Sequence, residues 1–226
     1  MGKTISIAID GPAGAGKSTI AKRLAAELGF YYVDTGAIYR TAAYFMDLLG
    51  ISPKDVDGVE RYIDELNIDI YYDETGLQHM LMNNIDVTDD IRTPDISQKA
   101  SLISAHAVVR EMLLDMQRDV AKENNVVMDG RDIGTVVLPK ADVKIFLTAS
   151  AEVRAQRRHE ELKAKGSRDS YEKVLKDLQQ RDYQDTHREI APLKMARDSI
   201  KVDTSDLDID GVVAAIRDIV KQKVGL

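Results

Sequence analysis

The stretch IAIDGPAGAGKST, residues 7–19, restricts what this chain can fold into more than any other. Ile5, Ile7 and Ile9 with Ala8 predict a short buried strand, and Ile20, Leu24 and Leu28 recur at helical spacing. Between them Gly11, Gly14 and Gly16 let the main chain take positive φ and approach a ligand that side chains would hold off. In a strand–loop–helix context GPAGAGKS satisfies GxxxxGK[ST], a loop whose N–H groups cradle phosphates at a helix N-terminus. Gly11, Pro12, Ala13, Gly14, Ala15, Gly16, Lys17, Ser18 and Thr19 are therefore the expected triphosphate site. Lys17 reaches the β/γ-phosphates and the Ser18 hydroxyl is offered to Mg²⁺. The alternative is a glycine-rich turn that only joins strand to helix.

Downstream, FYYVD (30–34) predicts a second strand and residues 36–50 a helix ended by Gly50, an alternation that points to a doubly wound parallel sheet. A short acidic helix is expected over 53–66. NIDIYYD, LQHMLMN and NIDVTDD then suggest antiparallel strands, read as an insertion into the α/β order. Residues 95–123 return to helix, with Leu102, Val109, Leu113, Met116 and Val120 along one stripe. Residues 126–129, 143–149 and 199–204 supply three more strands. Charged helices fill 150–198, capped near Ser150 and broken around Gly166, and a last helix carries Ile209, Val212, Ile216 and Ile219.

Composition removes several function classes. The chain has no cysteine, which excludes disulfides and thiolate metal sites, and its four histidines show no ligand-like spacing. A net charge of −7 argues against a nucleic-acid surface. No apolar run approaches the roughly 18 residues of a membrane span and no secretory signal is seen, so a cytoplasmic protein without a membrane partner is expected. Gly2 and Ser6 fit a loose myristoylation pattern, but Ser6 falls in the first strand and the match is read as chance. The charge is uneven: residues 47–95 hold 3 Lys+Arg against 13 Asp+Glu, whereas residues 151–200 hold 12 against 10. Basic side chains thus gather late in an acidic protein.

Three constellations narrow the chemistry. In VDTGAIYR, Thr35 and Gly36 open a helix with Arg40 one turn in, a second anion site beside the first; the alternative for Arg40 is a solvated surface residue. In VVMDGRDIGTVV, Asp129 ends a strand where a carboxylate near Mg²⁺ is expected, directly or through water, and Arg131 and Asp132 lie in the loop beyond. Late in the chain Arg154, Arg157 and Arg158 share one helix, while Arg181, Asp185 and Arg188 follow i, i+4, i+7 on another. A salt-bridged surface helix is the alternative for both. Guanidinium groups, however, fork onto phosphate oxygens. A phosphate monoester with a second pKa near 6 needs no strong base at neutral pH, so an enzyme joining it to a triphosphate must chiefly overcome repulsion. Several arginines, one lysine and Mg²⁺, without a nucleophilic Ser or Cys/His pair, suit that task.

Taken together, IDGPAGAGKST, DTGAIYR, IRTPDISQKAS, DGRDIGTVV, KIFLTAS and RDYQDTHR followed by APL make the chain resemble the bacterial cytidylate kinases, within the nucleoside monophosphate kinase group. The resemblance runs nearly the whole length. It implies ATP-dependent, Mg²⁺-assisted phosphorylation of CMP or dCMP by an α/β P-loop sandwich whose five-stranded parallel sheet has the P-loop strand at its centre. It also implies an inserted antiparallel monophosphate-binding domain and a short helical lid. The implied division is a core of 1–50, 95–150 and 190–226, an insertion of 51–94, and a lid with flanking helices of 151–189, in a chain expected to be monomeric. By the same resemblance Thr35, Arg110 and Asp132 read the cytosine, and Ser101, Arg181 and Asp185 hold the sugar. Arg40, Arg131 and Arg188 clasp the acceptor phosphate, and Arg154, Arg157 or Arg158 close over ATP. A carboxylate beside a guanidinium matches the cytosine edge; a structural Arg110–Asp132 ion pair is the alternative.

One geometric expectation follows. Ser101 and Arg110 stand nine residues apart, about 180° around an ideal helix, so both face one ligand only if the helix breaks near Ser104 to Ala107. Competing functions are a kinase for UMP, AMP or dTMP, and a P-loop regulatory NTPase. Thr204-Ser205-Asp206, at the end of the fifth strand, is the expected neighbour of adenine.

Overall fold

A computed structural model describes residues 3–225; Gly2, which carries the acylation pattern, lies outside them. The chain begins with strand β1 (Ser6–Asp10), whose Ile7 and Ile9 pack on one face while Ala8 packs on the other. It runs through the phosphate-binding loop into α1 (Lys17–Leu28), then β2 (Tyr31–Asp34) and α2 (Thr35–Leu48). Asp34 caps α2, its carboxylate accepting the Ala37 N–H at 2.9 Å.

The insertion holds α3 (Val56–Tyr62) and three antiparallel strands, β3 (Ile68–Tyr72), β4 (Gln78–Met82) and β5 (Ile85–Asp86). The last is only two residues long: Val87 still donates its N–H to the Met80 carbonyl at 2.9 Å, but the Met80 N–H goes to the Thr88 hydroxyl in place of a backbone partner. The helix expected over 95–123 is two helices, α4 (Pro94–Ile103) and α5 (Ala107–Glu123), with the break at Ser104-Ala105-His106 where the Ser101/Arg110 geometry required one. The predicted stripe is divided accordingly. Ile96, Ala100 and Ile103 are the buried face of α4, and Leu102 is only half-buried.

The chain then returns to the sheet with β6 (Val126–Gly130). The following loop winds into a π-helical turn, Ile133–Val137, ahead of β7 (Val143–Thr148). Helices α6 (Ala151–Ala164) and α7 (Tyr171–His187) form the late charged hairpin. Ser150 caps the first of them, as expected. Strand β8 (Ile200–Asp203) and helix α8 (Ile209–Val224) complete the layers.

The five parallel strands run in the order β2-β6-β1-β7-β8, placing the strand that feeds the phosphate loop at the centre. Both faces are covered. Ile20, Leu24, Val212 and Ile216 of α1 and α8 close one, and Ala8, Val33, Met128, Ile133 and Val137 lie on the other. A separate cluster joins Ile38 and Met46 of α2 to Val59, Ile63, Met80, Ile103 and Leu113. The inserted sheet is therefore seated on α2, α4 and α5 and shares their core. Ala13 of the phosphate loop packs with Ala155, Val174 and Leu178 beneath the late hairpin. Among the described residues no helix is long and apolar enough to cross a membrane.

Candidate active site

The carboxyl ends of β1, β2 and β6 open into a cavity of about 990 Å³. This is where an α/β sheet puts its ligands, since the loops there are free of packing. Residues Ala13 to Thr19 line one end. Gly11 and Pro12, the first two of the expected set, do not: Gly11 lies tight against the Leu147 carbonyl and lets β1 turn into the loop. Lys17 is buried, and its Nζ donates to the Pro12 carbonyl at 2.8 Å. Burial, and then the positive charge of Arg131, push its ammonium down to about 7, and the negative charge of an arriving triphosphate would favour the protonated form.

Beside it the Ser18 hydroxyl donates to Asp129 Oδ2 at 3.0 Å, and the Tyr32 hydroxyl donates to Asp129 Oδ1 at 2.8 Å. Burial, with the neighbouring Asp34 charge, raises the Asp129 carboxyl above its ordinary value. A buried carboxylate with adjacent hydroxyl oxygen is the hard-oxygen donor set that Mg²⁺ takes. The residues fit that ion.

The other end of the cavity is lined by Thr35, Gly36, Tyr39, Arg40, Ser101, Arg131, Asp132, Arg181, Asp185 and Arg188. Arg40 pairs with Asp34 at 2.9 Å, and Arg131 Nε donates to Asp185 Oδ2 at 2.7 Å. The Nε atoms of Arg40 and Arg181 and the Oγ of Ser101 are buried with no partner. Three cavity-lining side chains thus keep unspent polar atoms, which normally marks a ligand's place. Burial and the charge of Arg131 lower Arg181 to about 10. Opposed to these cations, Asp185 is held below its ordinary value: burial raises it, but Arg131 and Arg181 together outweigh that.

Deeper in, Asp132 accepts from both Arg110 and Arg188, the latter at 3.3 Å. The helix break supplies a second anchor. The Ser104 carbonyl accepts from Arg110 at 3.2 Å and its hydroxyl from Arg188 at 3.3 Å. Arg110 lies 5.6 Å from the centroid of the Tyr39 ring. Arg110 itself is buried behind the lining and meets the cavity through Asp132, Ser104 and Tyr39, all of which line it.

Two late arginines stand elsewhere than the charge pattern suggested. Helix α7 ends at His187, so Arg188 has extended backbone and leaves the helix face of Arg181 and Asp185. It is pinned by its Nε to the Ala191 carbonyl at 2.6 Å and joins the Asp132 group rather than Arg131. Arg154 does not line the cavity. It is buried under the phosphate loop, donating to the Ala13 carbonyl at 2.9 Å and pairing with Asp182 at 2.7 Å. Arg157 and Arg158 do line the cavity, and Arg157 holds the Thr204 hydroxyl and carbonyl at 3.0 and 2.6 Å. Of the expected adenine neighbours Thr204 lines the cavity with Leu207 and Ile209, whereas Ser205 is tied to Asp203 and the Ser150 N–H.

Sequence reasoning passed over Asp34, Tyr39 and Ser104. Asp34 carried a signal, an aspartate directly before a helix start. Ser104 was named only as the place of the helix break, and Tyr39 carried no signal.

Comparison with known proteins gives consistent findings. A family model described as cytidylate kinase matches residues 7–222. A cytidylate kinase of Carboxydothermus hydrogenoformans is 51% identical over 217 residues, covering 96% of this chain and 97% of that one. A second, from Exiguobacterium, is 46% identical over 98% of this chain and 99% of its own. Among solved structures, an uncharacterized protein of Eubacterium ventriosum aligns with a TM-score of 0.52 over 96% of this chain and 99% of that one, at 14% identity, a likeness of fold alone.

Proposed function

Because this chain belongs to the cytidylate kinase family, we propose that this cavity seats ATP and CMP or dCMP end to end. The terminal phosphoryl group of ATP passes to the acceptor phosphate, giving ADP and CDP or dCDP. The observation that carries this reading is the set of unspent buried donors, Arg40 Nε, Arg181 Nε and Ser101 Oγ, lying opposite the phosphate loop.

The loop from Ala13 to Thr19 holds the triphosphate through its N–H groups, with Lys17 leaving the Pro12 carbonyl for the β/γ-phosphates. Ser18 and Asp129 would hold Mg²⁺, which when bound would neutralise charge on the phosphate oxygens. Arg40 and Arg131 clasp the acceptor phosphate, which is dianionic at neutral pH and attacks without a general base. Ser101, Arg181 and Asp185 hold the sugar. Arg110, Arg188 and Asp132 read the base: the carboxylate faces an exocyclic amine and the guanidiniums face ring acceptors. Uracil reverses that pattern and leaves the buried groups unpaired, a mismatch worth up to about 10⁴ to 10⁵ in discrimination.

None of the described cavity-lining residues comes from the insertion of 51–94. The acceptor is received by α2, α4, the loop after β6 and the end of α7, and the segment 151–189, through Arg157 and Arg158, closes over ATP and excludes water from the transferred group. The chain acts as a cytoplasmic monomer on free nucleotides. Coupled ADP-release assays with CMP, dCMP, UMP, AMP and dTMP test the assignment. CMP and dCMP give the highest kcat/KM; a faster reaction with UMP or AMP than with both cytidine nucleotides overturns it.

A further inference from the structure

Asp10 is the last residue of β1, the residue before the phosphate loop, and is almost wholly buried. Among the described residues its carboxylate has no cation within ion-pair distance. Instead one oxygen accepts the Ile133 N–H and the other the Gly134 N–H, both at 2.7 Å. These are the first N–H groups of the π-helical turn, which no residue within the turn can satisfy. The cap thus comes from a different strand, 123 residues earlier in the chain. Ile133 directly follows Asp132, whose carboxylate meets Arg110 and Arg188. Whatever fixes the Ile133 and Gly134 peptides therefore fixes Asp132.

We propose that Asp10 is a positioning residue for acceptor selection: through two main-chain N–H groups it holds Asp132 in register with the cytosine edge, tying that reader to the strand that ends in the ATP loop. This rests on Asp132 reading the base, as proposed above. Its geometry suits the task. A bidentate carboxylate on two successive N–H groups fixes both the rotation and the height of the turn. The environment spends heavily on it as well: burial, only partly offset by the N–H groups of Gly134 and Ile133, raises the carboxyl to about 6. Asp10 ends the strand that runs into the phosphate loop and holds the turn that follows Asp132, so it links the donor and acceptor halves of the site.

Two variants of the full chain test this. Asp10→Asn keeps the shape but sets an amide donor against one N–H. Gly134→Ala leaves Asp10 in place and puts a Cβ 3.3 Å from its Oδ2 and 3.2 Å from Lys144 Cδ, pushing the contact apart. A displacement of this order costs about 10- to 100-fold in kcat/KM for CMP in Asp10→Asn and less in Gly134→Ala, by way of a raised KM. The CMP:UMP preference narrows in the same order while KM for ATP stays within about two-fold. Asp132→Asn is measured alongside. If it loses the CMP:UMP preference and both other variants keep theirs, the role of Asp10 is refuted while base reading by Asp132 stands. If Asp132→Asn keeps the preference, base reading itself fails and the proposal with it. Proportional losses for CMP and ATP, or failure of both Asp10→Asn and Gly134→Ala to fold, would make Asp10 a structural group and overturn the proposal.

Discussion

Ser18 and Asp129 meet hydroxyl to carboxylate at 3.0 Å although 111 residues separate them, because β6 enters the sheet directly beside β1. The pair joins the start of α1 to the end of β6 and sets a strand-end carboxylate against the phosphate loop's hydroxyl. Asp129→Asn should lower kcat by about 10²-fold, a usual scale for losing a preorganised charge. The Mg²⁺ concentration for half-maximal rate should rise, with KM for CMP nearly unchanged. Steady-state rates across a Mg²⁺ titration measure both, and an unaltered Mg²⁺ dependence would remove Asp129 from the metal site.

Arg131 and Arg188 should differ in kind. Arg131 faces Asp185 and the phosphate end, so Arg131→Ala should lower kcat by about 10² to 10⁴, the scale of a transition-state arginine. Arg188 faces Asp132 and Ser104, so Arg188→Ala should raise KM for CMP as well. Both proteins should fold, by circular dichroism. The same kinetic signature in both would contradict the division between phosphate and base drawn from these contacts.

The glycines of the loop should also separate. A Cβ at Gly11 would stand 2.0 Å from the Leu147 carbonyl oxygen, a collision of the added side chain with rigid backbone. At Gly16, with φ +86°, nothing lies within 4 Å, leaving only the left-handed strain. Gly11→Ala should yield little folded protein. Gly16→Ala should fold with a stability loss of about 1–2 kcal/mol, a few degrees in Tm for a chain of this size. Thermal unfolding of the two variants decides it.

A pH dependence follows from His79 on β4. Its ring nitrogens meet Asp73 at 3.1 Å and Asp86 at 3.0 Å, and it stacks on Tyr71. Hydrogen bonds to Asp73 and then Asp86 raise the His79 pKa. Its stabilising contribution is therefore complete below the ordinary histidine value near 6.5 and is lost as pH rises through the elevated value. The two carboxylates are held below their ordinary values, chiefly by hydrogen bonds from Thr75 and Thr88 respectively, so their part fails only in acid. His79→Gln should lower Tm at pH 6 and should differ little from the parent at pH 9. An equal difference at both pH values would show that packing, not charge, holds the inserted hairpin.

Much of this was legible in the residues. GPAGAGKS between two periodic segments led directly to strand, loop and helix, and the opposed positions of Ser101 and Arg110 on an ideal helix required the break found at 104–106. Strand order is a different matter. That β6 would slip between β1 and β2 depends on which crossovers pack, and periodicity along one strand does not record its neighbours; the central place of β1 came with the family resemblance. Arg188 was misplaced because no glycine or proline marks the end of α7. Its stop is tertiary, with Leu193 N–H donating to the Asp185 carbonyl and Ala191 at φ 49° turning the chain ahead of Pro192. Arg154 was misread for a related reason. A run of arginines shows charge, but only the packing of Ala155 against Ala13 shows that this one is turned under the loop. Asp10 resembled any strand-end aspartate until its two N–H partners, far along the chain, were in view.

The claim that two nucleotides share one cavity end to end is met most directly by calorimetry with a bisubstrate analogue in which cytidine and adenosine are joined through a polyphosphate. One analogue should bind per chain, more tightly than ATP or CMP alone, and should be displaced by either nucleotide. Two analogues per chain, or displacement by only one of the nucleotides, would contradict a single shared site.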